Sequence, residues 1–107
     1  TLFAMGSSAK AFTGALVAQA DTDDIIKLSE PISKYYPLVF FNDYLTKNVT
    51  FKDLLTHNSG IAGNDLVWII SKMNRDELLN AIQYLPPSKG LREAFQYNNI
   101  MYFYFML

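Results

Sequence analysis

Helix starts and stops recur so closely along this 107-residue chain that no element can run long. Asp21-Thr22-Asp23-Asp24 interrupts a first helical stretch, and Pro31 and Pro37 bracket the short segment Ile32 to Tyr36. Asn58-Ser59-Gly60 closes another stretch, and Pro86-Pro87 stops a third. The starts are equally marked. Thr50-Phe51-Lys52-Asp53 and Asn74-Arg75-Asp76-Glu77 both have capping-box spacing, in which the last residue reaches back to the first unpaired amide. Apolar residues then follow at helical spacing: Phe51, Leu54 and Leu55 after the first box, and Leu78, Leu79, Ile82 and Tyr84 after the second. Asp65 can cap a stretch from Leu66 to Lys72, and Asn98 or Asn99 starts a last apolar helix. Near the N-terminus, Leu2 to Met5 is a short extended lead-in to a helix predicted from Ser7 to about Ala20. Its Ala11, Ala15 and Ala18 leave one face small enough to sit deep in a core. The expectation is a mainly α chain of short helices and loops, without repeats or an interdomain linker.

Half of the residues are apolar and 18% are charged, which suits one folded unit and excludes general disorder. Nine Lys+Arg against ten Asp+Glu leave a net charge of −1, so no basic surplus exists for nucleic acid. No run approaches the roughly 20 apolar residues of a membrane span. The absence of cysteine removes disulfides, thiolate catalysis and Cys-ligated zinc. The apolar start, Thr1-Leu2-Phe3-Ala4-Met5, and the apolar finish, Ile100 to Leu107, read as cuts through a larger domain. Such uncovered faces predict marginal stability and self-association of the piece alone.

Two short patterns carry chemistry. Ser7-Ser8-Ala9-Lys10 follows Gly6, and a spacing of three puts the Ser7 hydroxyl and Lys10 amine on one helical face. Ser7 also sits where helix amides and dipole favour developing negative charge. A serine becomes a nucleophile when a neighbouring base takes its proton, and a lysine held neutral by burial can do so. A capping serine followed by a solvated lysine is the commoner cause of this spacing. The second pattern is Tyr97-Asn98-Asn99. If that loop folds over the Ser7 helix, Tyr97 can share a proton with Ser7 and Lys10, and Asn99 can bond Lys10 or a substrate amide. On its own it reads as a core tyrosine beside a capping asparagine.

Taken in order, the segments resemble the serine beta-lactamase and penicillin-binding-protein superfamily, particularly its lactamase-like serine hydrolase branch. Phe3 to Thr13 is similar to the nucleophile segment of that family, and Pro31 to Pro37 to its DPVSKYLP segment, with Glu30 in place of the usual Asp. Val49 to Gly60 is similar to ITIRDLLTHTSG. Asn64 to Trp68 and Phe95 to Tyr102 resemble a subgroup with RHDLVW and FQYNNLMY. The resemblance implies the helical part of an α+β serine hydrolase fold with most of the sheet missing, over a single partial domain spanning 1–107. It implies Ser7 as the acylated nucleophile, Lys10 as its proton partner, Tyr97 as general base or relay, and Asn99 as a substrate-binding group. The Ser7 backbone amide would belong to the oxyanion hole. The implied substrate is a small molecule or peptide with an amide or ester: a beta-lactam, a D-amino-acid peptide or a small ester. The third element of the family, K-T-G or H-x-G on an edge strand, is not found downstream of Tyr97. The piece alone is therefore expected to be inactive or nearly so as a hydrolase.

The rival reading is a non-enzymatic helical fragment or interaction module with an incidental Ser7 and Lys10; convergence of Ser7, Lys10 and Tyr97 in space would separate the two. His57, the only histidine, invites a triad with Ser7 and Asp53, but no G-x-S-x-G elbow accompanies it. The resemblance puts its ring in a loop, satisfying local backbone groups. One histidine without cysteine gives too few strong metal ligands, and Asp21, Asp23 and Asp24 lack the glycine and distal Glu of a calcium loop. No metal or cofactor is called for. Trp68, Phe40, Phe41 and the stripe from Tyr102 to Phe105 read as core or cleft wall.

Overall fold

The computed structural model describes residues 1–37, 39–63 and 71–106, where the punctuation in the sequence becomes short helices. A 3-10 turn, Gly6–Ser8, runs directly into α1 (Ala9–Thr22). A second 3-10 turn, Ile32–Lys34, precedes α2 (Asp43–Asn48) and α3 (Phe51–Leu55). Then come α4 (Arg75–Ala81), which tightens into a 3-10 turn at Ile82–Tyr84, and a closing 3-10 helix, Ile100–Met106. Among the described residues no β-strand forms, and the strand-like pairing is one antiparallel bridge between Pro31 and Thr50. That bridge, with Ile32 N–H donating to the Val49 carbonyl at 2.9 Å, ties the second turn to the start of α3.

Both capping boxes form. Thr50 Oγ1 accepts from the Asp53 amide at 3.2 Å while Asp53 Oδ2 accepts from the Thr50 amide at 2.9 Å. Asn74 and Glu77 exchange the same pair of bonds, each at 2.9 Å. The sequence reading overlooked α2, although Asn42 caps it by accepting from the Leu45 amide. The core gathers where these helices meet: Ile32, Leu54, Ile61, Ile82 and Met101 are almost wholly buried. Phe51 sits between Tyr35 and Phe105, with ring centroids 5.8 and 5.9 Å away.

Four expectations need correction. Ser7 lies in the 3-10 turn before α1, not inside it, and α1 reaches Thr22, whose hydroxyl donates to the Ala18 carbonyl. The helix is also far from deep: only Val17 of α1 is buried, while Phe12 is 62% and Leu16 72% exposed. It leans on the closing 3-10 helix along one edge, and among the described residues no second layer covers the other. Tyr84 is exposed because the change from 3.6 to 3 residues per turn after Ala81 rotates it off the buried face. The final apolar segment is a 3-10 helix. The stretch expected to follow the Asp65 cap, with Trp68, falls on residues 64–70, outside the described residues. The three aspartates around the end of α1 have local roles: Asp21 accepts from the Leu28 amide, Asp23 accepts from Gln19 Nε2, and Asp24 pairs with Lys27. Among the described residues, no helix is long and apolar enough to cross a membrane.

Candidate active site

Two loops build the site. The first leaves α3 through His57, whose φ of 57° turns the chain, to Gly60, with φ of 82°. The second, residues 88–98, lies along it as a run of backbone bonds. Ser88 N–H donates to the Gly60 carbonyl at 2.9 Å, Arg92 N–H to Asn58 at 2.8 Å, and Gln96 N–H to His57 at 2.8 Å. Glycine is required at position 60, since a Cβ there would stand 2.4 Å from the Lys89 carbonyl oxygen.

Side chains lock this pairing. The Arg92 guanidinium donates to both carboxylate oxygens of buried Asp53, at 2.8 and 2.9 Å, joining the second loop to the cap of α3. Asn98 is wholly buried and uses every part of its amide. Its Nδ2 donates to the Ile61 and Ala62 carbonyls, and its Oδ1 accepts from the Ile100 amide at 3.0 Å and, more loosely, the Met101 amide at 3.4 Å. Asn98 is thus both anchor of the second loop and cap of the closing helix.

Immediately before this anchor, Tyr97 projects outward, 40% exposed, toward the turn that Gly6 opens with a φ of 56°. The Tyr97 hydroxyl meets Ser7 Oγ at 2.7 Å, and Lys10 Nζ approaches the same Oγ at 3.4 Å. Lys10 Nζ also stands over the rings of Tyr97 and Tyr102, 5.1 and 5.2 Å from their centroids, within cation–π range. Ser7, Lys10 and Tyr97 therefore converge, although 90 residues separate Ser7 from Tyr97. Asn99 follows the anchor, half-buried, with its carbonyl accepting from the Tyr102 amide. A cavity of about 380 Å³ beside Leu16, Phe51 and Tyr104 is lined by none of the three converging residues.

His57 is held by Asn98 and by a set of aromatic rings. Its ring lies against Tyr97 at 4.6 Å, stacks on Tyr102 at 5.3 Å, and meets the edge of Phe95 at 5.3 Å. Its Nδ1 accepts the Asn98 backbone N–H at 3.0 Å. Burial first, and then the charge of Lys10, hold its pKa below the ordinary histidine value. Burial likewise raises the Tyr102 phenol, whose hydroxyl donates to the Leu55 carbonyl at 2.8 Å. Arg92 and Asn98, which fix the Tyr97 loop, had no signal in the sequence beyond the capping potential of Asn98.

A serine hydroxyl in contact with a phenol and an amine is an arrangement able to lose a proton and attack a carbonyl. Comparison with known proteins identifies the family. The beta-lactamase family model matches residues 1–104. The chain is 29% identical over 112 aligned residues to an unguisins hydrolase of Aspergillus violaceofuscus, covering 95% of this chain and 20% of that protein. It is 24% identical over 112 residues to an unguisins hydrolase of Aspergillus campestris, covering 95% and 21%. It is 38% identical over 61 residues to a teichoic acid D-alanine hydrolase of Staphylococcus aureus, covering 57% and 14%. The chain thus spans about a fifth of the length of the first two relatives. With the family model matched along almost all of its length and hydrolases among its relatives, this mainly helical chain belongs to the beta-lactamase family.

Proposed function

We propose that this chain carries the nucleophile side of a serine hydrolase site that cleaves an amide or ester through an acyl-serine intermediate. The observation that supports it is the 2.7 Å contact between Ser7 Oγ and the Tyr97 hydroxyl, with Lys10 Nζ at 3.4 Å. In this reading Ser7 Oγ attacks the carbonyl carbon and gives its proton to the Tyr97 oxygen as the phenol's own proton moves to the departing amine or alcohol, so that Tyr97 acts as a relay and stays neutral. Lys10 Nζ, beside Ser7 Oγ, lowers the cost of negative charge forming there. Water then hydrolyses the serine ester by the same relay in reverse, giving a proton to the Tyr97 oxygen as the phenol proton returns to Ser7 Oγ. The Ser7 amide, at the positive end of α1, donates to the carbonyl oxygen as it becomes negative. Asn99 holds a polar group of the substrate. The printed names of the relatives, hydrolases of unguisins and of teichoic acid D-alanine, fit a carbonyl bonded to nitrogen or oxygen as the target.

Acylation and turnover separate here. Ser7 has a proton relay beside it, but the resemblance puts a second oxyanion amide on the third element of the family, and each missing donor costs roughly 10²–10³ in rate. The 107 residues alone are therefore expected to be acylated slowly by a reactive probe and to turn over no substrate measurably. Intact-mass analysis after treatment with a fluorophosphonate tests this. The phosphorus–oxygen bond forms at Ser7, fluoride leaves, and the serine proton is relayed through the Tyr97 hydroxyl to the departing fluoride. One adduct is expected, absent in Ser7→Ala, retained in Ser8→Ala, and at least tenfold slower to form in Tyr97→Phe. A chain shown to be folded by circular dichroism that forms no adduct, or an adduct surviving in Ser7→Ala, overturns the proposal.

A further inference from the structure

We propose that His57 is the positioning residue for Tyr97: its neutral imidazole, carrying its proton on Nε2, accepts the Asn98 amide and supports the Tyr97 ring from beneath. The inference rests on the role proposed above for Tyr97 and adds a residue to it. The geometry fixes the tautomer. A backbone N–H can only donate, so the 3.0 Å contact from Asn98 N–H to His57 Nδ1 requires a lone pair on Nδ1. The remaining proton of a neutral ring must then lie on Nε2.

The ring serves the site in two ways that backbone bonding does not. It satisfies the amide of Asn98, a residue wholly buried one position after Tyr97. It also forms the floor of an aromatic stack, 4.6 Å from Tyr97 and 5.3 Å from Tyr102, over which Lys10 is placed. Protonation would convert Nδ1 into a donor facing a donor and break the Asn98 bond. It would also place a second positive charge beside Lys10. The ionisable groups around the ring are Lys10 from α1, Tyr97 from the second loop and Tyr102 from the closing helix. Asp53 and Arg92, which flank the loops, are paired with each other. Nothing in this set rewards a charged imidazole, and burial and Lys10 both oppose it. Tyr97 is thus correctly placed only while His57 is neutral.

Two variants separate the functions of the ring. In His57→Asn the side-chain oxygen stands as many bonds from Cα as Nδ1 does, so it can accept the Asn98 amide. Asparagine also tolerates the positive φ at this position. His57→Phe keeps an aromatic floor and leaves the amide unpaired. The measurements are 15N spectra of the single histidine, amide exchange at Asn98, and the rate of Ser7 phosphonylation between pH 5 and 8. The expected results are an Nε2–H tautomer, a protected Asn98 amide above the histidine pKa, and a labelling rate that falls as the ring is protonated. His57→Asn should remove that pH step while retaining a protected Asn98 amide. His57→Phe should label about tenfold more slowly at all pH values, the cost of one unpaired buried amide. An Nδ1–H tautomer, an Asn98 amide exchanging freely in the wild type, or a pH step that persists in His57→Asn overturns the inference. The tautomer and amide exchange need no reaction at Ser7. A wild type that fails to label but gives both spectral results therefore refutes the nucleophile reading alone, and poor folding of His57→Phe leaves those results unaffected.

Discussion

Replacing Asp53 by alanine tests how the site is held, because one carboxylate serves two structures. Its Oδ2 accepts from the Thr50 amide at 2.9 Å, from the Thr50 hydroxyl at 2.9 Å and from Arg92 Nη2 at 2.9 Å, while Oδ1 accepts from Arg92 Nε at 2.8 Å. Thr50 is 5% exposed, so its amide has little water to turn to after the substitution. Leaving a buried amide without a partner costs about 1–3 kcal/mol, and this includes the acidic half of the capping box. The Arg92 side chain is 52% exposed, and screening limits its share to about 1 kcal/mol at most. The sum, about 1–4 kcal/mol, is up to a large part of the roughly 5–15 kcal/mol that holds a domain folded. Urea unfolding of Asp53→Ala, Arg92→Met and the double variant measures both parts. Arg92→Met should cost no more than about 1 kcal/mol and Asp53→Ala at least twice as much. Equal costs, with a coupling energy as large as either, would show that the ion pair dominates and that the cap argument is wrong.

Gly60→Ala should lower the melting temperature sharply. The new methyl would stand 2.4 Å from the Lys89 carbonyl at a φ of 82°, and accommodating it means separating the two loops. The loss should exceed about 2 kcal/mol by calorimetry, well above the usual cost of a surface change. Stability should also depend on pH through His57. Burial holds its folded pKa below the ordinary histidine value of about 6.5, so its contribution is complete above that pH and is lost as pH falls toward the folded pKa. Chemical melts should show the wild type losing stability relative to His57→Asn as pH falls below about 6.5, with the difference between them constant above it. Tyr104→Phe should be neutral or stabilising by up to about 1 kcal/mol, since the buried Tyr104 hydroxyl finds no partner among the described residues. A loss of more than 1 kcal/mol in a thermal melt would mean that the hydroxyl is satisfied after all.

What the sequence made legible was local. Thr50 to Asp53 and Asn74 to Glu77 announce their helices because both partners of each cap lie three residues apart. The same logic was available at Asn42, where no acidic residue three places on reinforced it and α2 was overlooked. Ser7 and Lys10 were visible as a pair for the same reason, whereas joining Tyr97 to them needed the family resemblance across 90 residues. Neither kind of reading could find His57 under Tyr97 or Arg92 on Asp53. Those contacts follow from the path of two loops, and no periodicity or spacing encodes it. The alanines of α1 misled in an instructive way: small side chains permit close packing, yet a helix is buried only by what lies against it, and only Val17 has enough neighbours here.

The contact between Ser7 and Tyr97 is consequently constrained from one side more than the other. An exposed hydroxyl pair and a long lysine bond contribute little to stability, so they cannot hold their own geometry and must inherit it from what carries them. Tyr97 inherits it from Asn98, wholly buried, from His57, 7% exposed, and from the Asp53 carboxylate through Arg92. Ser7 inherits it from a turn whose residues are all exposed and from a helix anchored through Val17. Substitutions beneath Tyr97 should therefore change the rate of serine labelling by moving the phenol. On the other side, added packing on the open face of α1, around Phe12 and Leu16, should raise that rate by fixing the serine. The phenol is already in place, and further order at the site has to come from the helix that follows Ser7.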